Sequence, residues 1–287
     1  MSNDQQNNDH KSNEPTNQEP LPTDFNVGGT IETALSGQYK LKSGDIIKEA
    51  WKLTISHFWS FSPTIVLLVA LQIVIFMIAL KMQLGDPTVL LDFVDGSLDE
   101  SQLENIINAI MVSSYSYEII SAPLYAGVCL MAMAHATGFK TKTSHIMKGF
   151  QFTLPVMLVT LMGLVLQGLA GAILPVLSLY FTVTLSQSVF LVCEKRITPM
   201  RALFLSFRCV NKKFMTVAAV FALIAVLCVF AMLFYGIGMI FVLPFLFHVK
   251  GIVYREMFGI RMRVISHNGT PPTPPSNQNG NTTFFDA

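Results

Sequence analysis

The sequence predicts an all-α membrane protein: a polytopic bundle of six transmembrane helices with amphipathic helices lying at the membrane interface. Three observations predict it. The 45 positions from Gly149 to Cys193 hold no Asp, Glu, Lys, Arg or His, enough for two spans of about 20 apolar residues and a turn between them. Phe214 to Phe247 is a second uncharged run too long for one span. And 52% of the 287 residues are hydrophobic while only 13% are charged, against about 25% charged in soluble domains.

Taken in order, residues 1–44 read as a disordered cytoplasmic tail. Asn, Gln, Ser, Pro and acidic residues dominate as far as Pro22, and Gly28, Gly29 and Gly37 punctuate residues 23–44; such a composition buries too little apolar surface to offset the entropy of ordering. No apolar segment of signal-peptide type comes after Met1, so the first span is expected to direct insertion. From residue 45 to 58, Ile47, Ala50, Trp51, Ile55 and Phe58 fall at helical spacing with Asp45, Lys48, Glu49 and Lys52 opposite. This predicts an interfacial amphipathic helix, capped by Ser43 or Asp45 and anchored by Trp51 and Trp59.

The membrane domain runs over 45–263. Span 1 is placed at 60–80, with Pro63 in its first turn, where the missing N–H costs little. An acidic outer loop comes next, with Asp86, Asp92, Asp95, Asp99, Glu100 and Glu104 and a short helix from Ser101 to Met111. Span 2 is placed at 118–136, entered through Tyr115, Tyr117 and Tyr125. Gly138 to Phe152 is a second amphipathic lead-in, and spans 3 and 4 occupy 152–170 and 173–192. Glu194 to Lys213 is the most basic segment, and Thr198-Pro199 there has the form of a helix start. Spans 5 and 6 are placed at 214–234 and 237–254, with Pro244 kinking the last and Lys250 snorkelling from its inner end. Residues 264–287 form a second disordered cytoplasmic tail, with Pro271, Pro272, Pro274 and Pro275 favouring extended chain.

Orientation is set by the bias of Lys and Arg toward the cytoplasmic side. With the N-terminus inside, six spans put 18 of the 19 basic residues inside and leave only Lys81 outside. The order amphipathic helix, span, turn, span recurs near Asp45, Thr143 and Thr198, which suggests three repeated helical hairpins.

Arg201-Ala202-Leu203-Phe204-Leu205-Ser206-Phe207, Tyr254-Arg255-Glu256-Met257-Phe258-Gly259 and the basic lead-in Gly138 to Phe150 together resemble an uncharacterised family of six-span bacterial inner-membrane proteins. That family is grouped with the membrane domain attached to some glycerophosphodiester phosphodiesterases. The resemblance covers about residues 45–260. It implies a six-helix fold in the bacterial inner (cytoplasmic) membrane, with both termini cytoplasmic, and brings no catalytic residues with it.

Polar side chains inside spans are the natural functional candidates. They are Gln72, Glu118, Gln167 and Gln187, with His135 and His248 near inner ends, read as interhelical bonding, interfacial solvation or a polar path. The four cysteines, Cys129, Cys193, Cys209 and Cys228, stand in no metal or disulfide spacing. No nucleotide-binding, zinc, nucleophile-elbow or paired-carboxylate motif occurs, and the acidic loop lacks calcium-loop spacing. No catalytic residue, metal, cofactor or nucleic-acid partner is therefore expected. The expected partner is the bilayer, with anionic lipid headgroups contacted by Lys195, Arg196, Arg201, Arg208, Lys212 and Lys213. Three functions remain open: a non-enzymatic organising or partner- or lipid-binding protein, a transporter or lipid-handling channel, and an accessory domain of a lipid-metabolic enzyme. A water-accessible cavity converging on Gln72, Gln167 and Gln187 would favour the second, and tight apolar packing there would exclude it.

Overall fold

Lipid-length apolar runs leave the backbone one economical choice, the helix, in which every internal N–H and C=O is satisfied within the segment. The structure, a computed structural model, describes residues 23–86 and 100–264. Asp92, Asp95 and Asp99 of the acidic loop, and the tail segments 1–22 and 265–287, lie outside the described residues. β1 (Thr23–Val27) and α1 (Ile31–Ser36) lead into α2 (Ser43–Ser56) and α3 (Phe58–Leu84). α4 (Glu100–Ala136) returns, and a 3-10 helix (Thr143–Phe152) leads into α5 (Thr153–Ile173). The next arm is divided into α6 (Pro175–Thr184) and α7 (Ser188–Lys195). The chain ends through α8 (Pro199–Asn211), α9 (Phe214–Leu233), α10 (Met239–Phe258) and β2 (Ile260–Val264).

Five stretches are long and apolar enough to cross a membrane: Phe58–Leu84, Ser101–Ala136, Thr143–Ile173, Pro175–Lys195 and Phe214–Leu233. The sixth predicted span, α10, has the length but carries Lys250, Arg255 and Glu256. Its setting explains how it bears them. α10 packs against α2, α3, α4 and α9, and Val249, Gly251, Ile252, Val253 and Tyr254 are all buried. The most apolar part of α4 is likewise 78% buried, against 17% for α3 and 22% for α9. α4 and α10 therefore form the centre of the bundle. α3, α5 and α9 form its wall and present Val66, Ile73, Val74, Leu169, Val229 and Phe230 outward, a continuous apolar surface that water would not tolerate and lipid does.

One end of the bundle collects the turning points of the chain. Arg255 donates to Glu49, in α2, at 2.6 and 2.9 Å, and to the carbonyl of Ala136, the last residue of α4. Glu194, in the last turn of α7, accepts from Tyr254 at 2.8 Å and from the backbone N–H of Arg261 at 3.0 Å. Lys213, at the start of α9, donates to the carbonyl of Tyr39. β1 pairs antiparallel with β2 from Thr23↔Val264 to Val27↔Ile260. The two ends of the described chain thus meet at one end of the bundle.

Several elements differ from the sequence reading. Residues 23–44 are built into the fold: Ala34, Tyr39 and Leu41 are buried in the core, and Thr30 closes a capping box with Thr33 over α1. α2 starts at Ser43 behind Lys42, so neither Ser43 nor Asp45 caps it. α3 begins at Phe58, two residues earlier than expected, which moves Pro63 into its second turn. The short outer helix and span 2 are one continuous 37-residue helix, about 55 Å long at 1.5 Å per residue, so its N-terminal turns extend past a hydrocarbon core of about 30 Å. Thr198 precedes Pro199 with an extended backbone, but its side chain makes no capping bond. Span 4 is broken between Thr184 and Ser188.

Small residues set the tightest crossing. A Cβ on Gly127 would lie 2.0 Å from the Ile146 carbonyl oxygen, and one on Gly149 would lie 2.0 Å from that of Pro123. α4 and the 3-10 helix therefore touch backbone to backbone, which only glycine permits on either side.

Candidate ligand-binding cavity

The broken arm decides where the polar groups go. At the break, Ser206 of α8 donates to the Thr184 carbonyl at 2.7 Å and accepts from the Gln187 N–H at 3.3 Å. Ser188 donates to the Leu185 carbonyl at 2.7 Å. Hydroxyls thus satisfy backbone groups released by the interruption, as membrane depth demands. The break lies midway along Pro175–Lys195, level in sequence with the middles of α3, α5 and α10, where Gln72, Gly163 and Lys250 stand.

A cavity of about 340 Å³ opens there. It is lined by Gln72 of α3, by Tyr117, Glu118, Ser121 and Tyr125 of α4, by Thr160, Gly163 and Gln167 of α5, by Thr182 of α6, by Ser186 and Ser188 at the break, and by Lys250 of α10. Gln72 donates to Ser121 at 3.1 Å, and Gln167 accepts from Thr182 at 2.9 Å. Each amide keeps its other end without a protein partner among the described residues. Lys250 turns inward: its Nζ donates to Tyr125 Oη at 2.8 Å and lies 5.5 Å from that ring's centroid. It does not snorkel out to the interface. The Glu118 carboxylate forms no hydrogen bond or ion pair among the described residues, and it and Lys250 lie within electrostatic reach of each other.

Three of the four predicted intramembrane candidates, Gln72, Glu118 and Gln167, therefore line one cavity. Gln187 does not. It is fully buried beside the break, its Nε2 3.4 Å from Ser186 Oγ and its Oε1 without a partner among the described residues. Lys250 is the residue that sequence reasoning misplaced. Its inward direction follows from the packing of α10 against α4, which no local sequence pattern advertises.

The two intramembrane histidines belong to a separate cluster. His135 Nδ1 lies 2.9 Å from His248 Nε2, His135 Nε2 lies 2.8 Å from Thr141 Oγ1, and His248 Nδ1 lies 3.0 Å from Thr54 Oγ1. All four ring nitrogens are used, and because Thr54 donates its hydroxyl proton to the Ala50 carbonyl at 2.7 Å, one direction satisfies two neutral imidazoles: Thr141 donates to His135, His135 to His248, and His248 to Thr54. Both are fully buried, so interfacial solvation does not describe them. His57 stacks on His135 with centroids 4.0 Å apart. It stands just before α3, and burial pulls its pKa below the ordinary histidine value.

The basic collar divides in two. Lys195 is held by Glu194 at 2.9 Å and by the Gly259 carbonyl at 3.2 Å. Lys213 is held by Tyr39, and Arg196 packs 6.0 Å from the Phe152 ring centroid. These three serve contacts within the bundle. Arg201, Arg208 and Lys212 are exposed, on or next to the helix that also exposes Met200 and Phe204 and buries Ala202, Leu203, Ser206, Cys209 and Val210.

No family model, characterised protein or solved structure matches this chain. The resemblance drawn from Arg201–Phe207, Tyr254–Gly259 and Gly138 to Phe150 rests on those three stretches alone.

Proposed function

We propose that this chain is a six-crossing protein of the bacterial inner membrane that binds a small polar molecule within its bundle, as a transporter or lipid-handling channel does. One observation carries the reading: a cavity at the broken arm, lined by amides, hydroxyls and two opposite charges. Polar groups at this depth are expensive and mark substrate paths, and broken helices near the midplane are where transporters place them. The presence of that cavity favours this reading over a purely organising role. Binding is favoured over covalent chemistry, because the hydroxyls of the cavity stand beside amides and, among the described residues, no histidine or cysteine lines it. The end that gathers α2, α8 and most of the basic residues faces the cytoplasm, with both termini there, and Arg201, Arg208 and Lys212 meet anionic headgroups.

Cysteine accessibility in sealed vesicles tests the reading. Thr160→Cys and Ser186→Cys, both at partly exposed positions in the cavity wall and in a background freed of native cysteines, are expected to react with a water-soluble, membrane-impermeant thiol reagent. Val229→Cys on the outer wall is expected not to. Gly163→Leu should suppress the labelling by filling the cavity, since a Cβ at Gly163 meets nothing closer than 3.8 Å. Labelling at Thr160 and Ser186 no greater than at Val229 would overturn the proposal.

A further inference from the structure

We infer that the cavity is built for a zwitterion: a molecule carrying a primary ammonium and an anionic phosphate or carboxylate a few atoms apart. The inference rests on the binding function proposed above and names its ligand class. Glu118 and Lys250 line the same cavity from the two central helices. An unpaired charge at membrane depth is costly, and a buried pair is tolerable when it closes on itself with good geometry. These two do not close: Glu118 has no ion-pair partner among the described residues, and Lys250 donates only to Tyr125. An ammonium carries three donors, so two remain for a ligand.

The neighbours repeat the polarity. Gln72 and Gln167 are each tied by one end of the amide, to Ser121 and to Thr182, which fixes them while leaving the other end to the cavity. At about 30 Å³ per water, the volume of about 340 Å³ holds roughly ten waters, the size of a small metabolite or of a phospholipid headgroup. A purely anionic ligand would be repelled by Glu118 and a purely cationic one by Lys250. A bipolar one neutralises both. Phosphoethanolamine presents that chemistry, either free in solution or as the headgroup of a phospholipid.

The test titrates purified full-length protein in nanodiscs of phosphatidylcholine and phosphatidylglycerol with phosphoethanolamine, inorganic phosphate and ethylamine. Binding is read by calorimetry. Phosphoethanolamine should bind at least tenfold tighter than either half-molecule. Glu118→Gln should remove that advantage by weakening phosphoethanolamine binding and strengthening phosphate binding, and Lys250→Met should remove phosphate and phosphoethanolamine binding together. A second arm uses nanodiscs containing phosphatidylethanolamine and assays lipid retained after detergent extraction. Retention dependent on Glu118 and Lys250, with no binding of the free probe, identifies the headgroup as the source. Equal affinity for phosphate and phosphoethanolamine in wild type, or no Glu118- and Lys250-dependent binding in either arm, overturns the inference. If Thr160→Cys and Ser186→Cys still label, the cavity reading survives that failure; if they do not, both fall.

Discussion

Ser206→Ala is the perturbation that tests the broken arm most directly. The hydroxyl serves two backbone groups at once, the Thr184 carbonyl and the Gln187 N–H, and residue 206 is fully buried. An interhelical side-chain hydrogen bond in a membrane averages about 0.6 kcal/mol, with a maximum near 1.7. A buried backbone group left without any partner costs more, about 1–3 kcal/mol. Two groups lose their partner here, and the adjoining cavity lets water reach the break, so the expected loss lies in the lower part of the range for two such groups, about 2–4 kcal/mol. Thr182→Ala is the comparison: it removes a side-chain bond to Gln167 from an exposed position and should cost about 0.6 kcal/mol. The assay is reversible unfolding in mixed micelles of increasing SDS fraction, followed by tryptophan fluorescence. Ser206→Thr, which keeps the hydroxyl, should recover part of the loss. A Ser206→Ala protein within about 0.5 kcal/mol of wild type would refute the idea that α8 holds the interruption open.

Three further outcomes are expected. Gly149→Ala should abolish or sharply reduce the yield of folded protein, because its Cβ meets the Pro123 carbonyl oxygen, whereas Gly44→Ala, with nothing within 4 Å, should be neutral or stabilising by up to about 1 kcal/mol; monodispersity in size-exclusion chromatography distinguishes them. Arg255→Lys should destabilise despite keeping the charge, since lysine cannot reproduce the fork to Glu49 that guanidinium geometry allows, and Arg255→Leu should destabilise further by leaving Glu49 unpaired; SDS unfolding midpoints give the order. Burial lowers the His57 pKa, so below about pH 6.5 the unfolded chain binds the more protons there and stability falls as pH drops; His57→Phe should flatten that part of the pH profile, and an unchanged slope would count against it.

How much of this was legible depended on whether a feature is a property of one segment or of several. The wall helices α3, α5 and α9 were visible in the sequence because lipid imposes an apolar run on each one independently. The lead-in helices were visible for a similar local reason: Trp51, Phe150 and Phe204 recur at helical spacing among basic residues. The break between Thr184 and Ser188 was not visible. It depends on Ser206, 22 residues away in a different helix, supplying partners that the local sequence does not advertise. α10 was misread in part for the same reason. Its charges look like an inner terminus in isolation, and only packing against α4 turns Lys250 inward and gives Arg255 two partners from separate parts of the chain, Glu49 and Ala136. Residues 23–41 look like tail by composition, yet Tyr39 is anchored by its hydroxyl to the Cys209 carbonyl at 2.8 Å, a contact no window of local sequence contains.

The β1–β2 pair also sets a schedule. During synthesis β1 leaves the ribosome before any span has inserted, while its partner strand comes after the last helix. For the whole of membrane integration β1 carries unpaired N–H and C=O groups, and the charges at the turning points lack the Arg255 side chain that later gathers them. The bundle can therefore be threaded through the membrane arm by arm, but it is locked only once, at the end, when α10 enters the centre and β2 meets β1. A chain interrupted anywhere before Arg255 would present an open seam along α2, α3 and α4 instead of a smaller stable protein, a state that membrane proteases could recognise by its exposed edge.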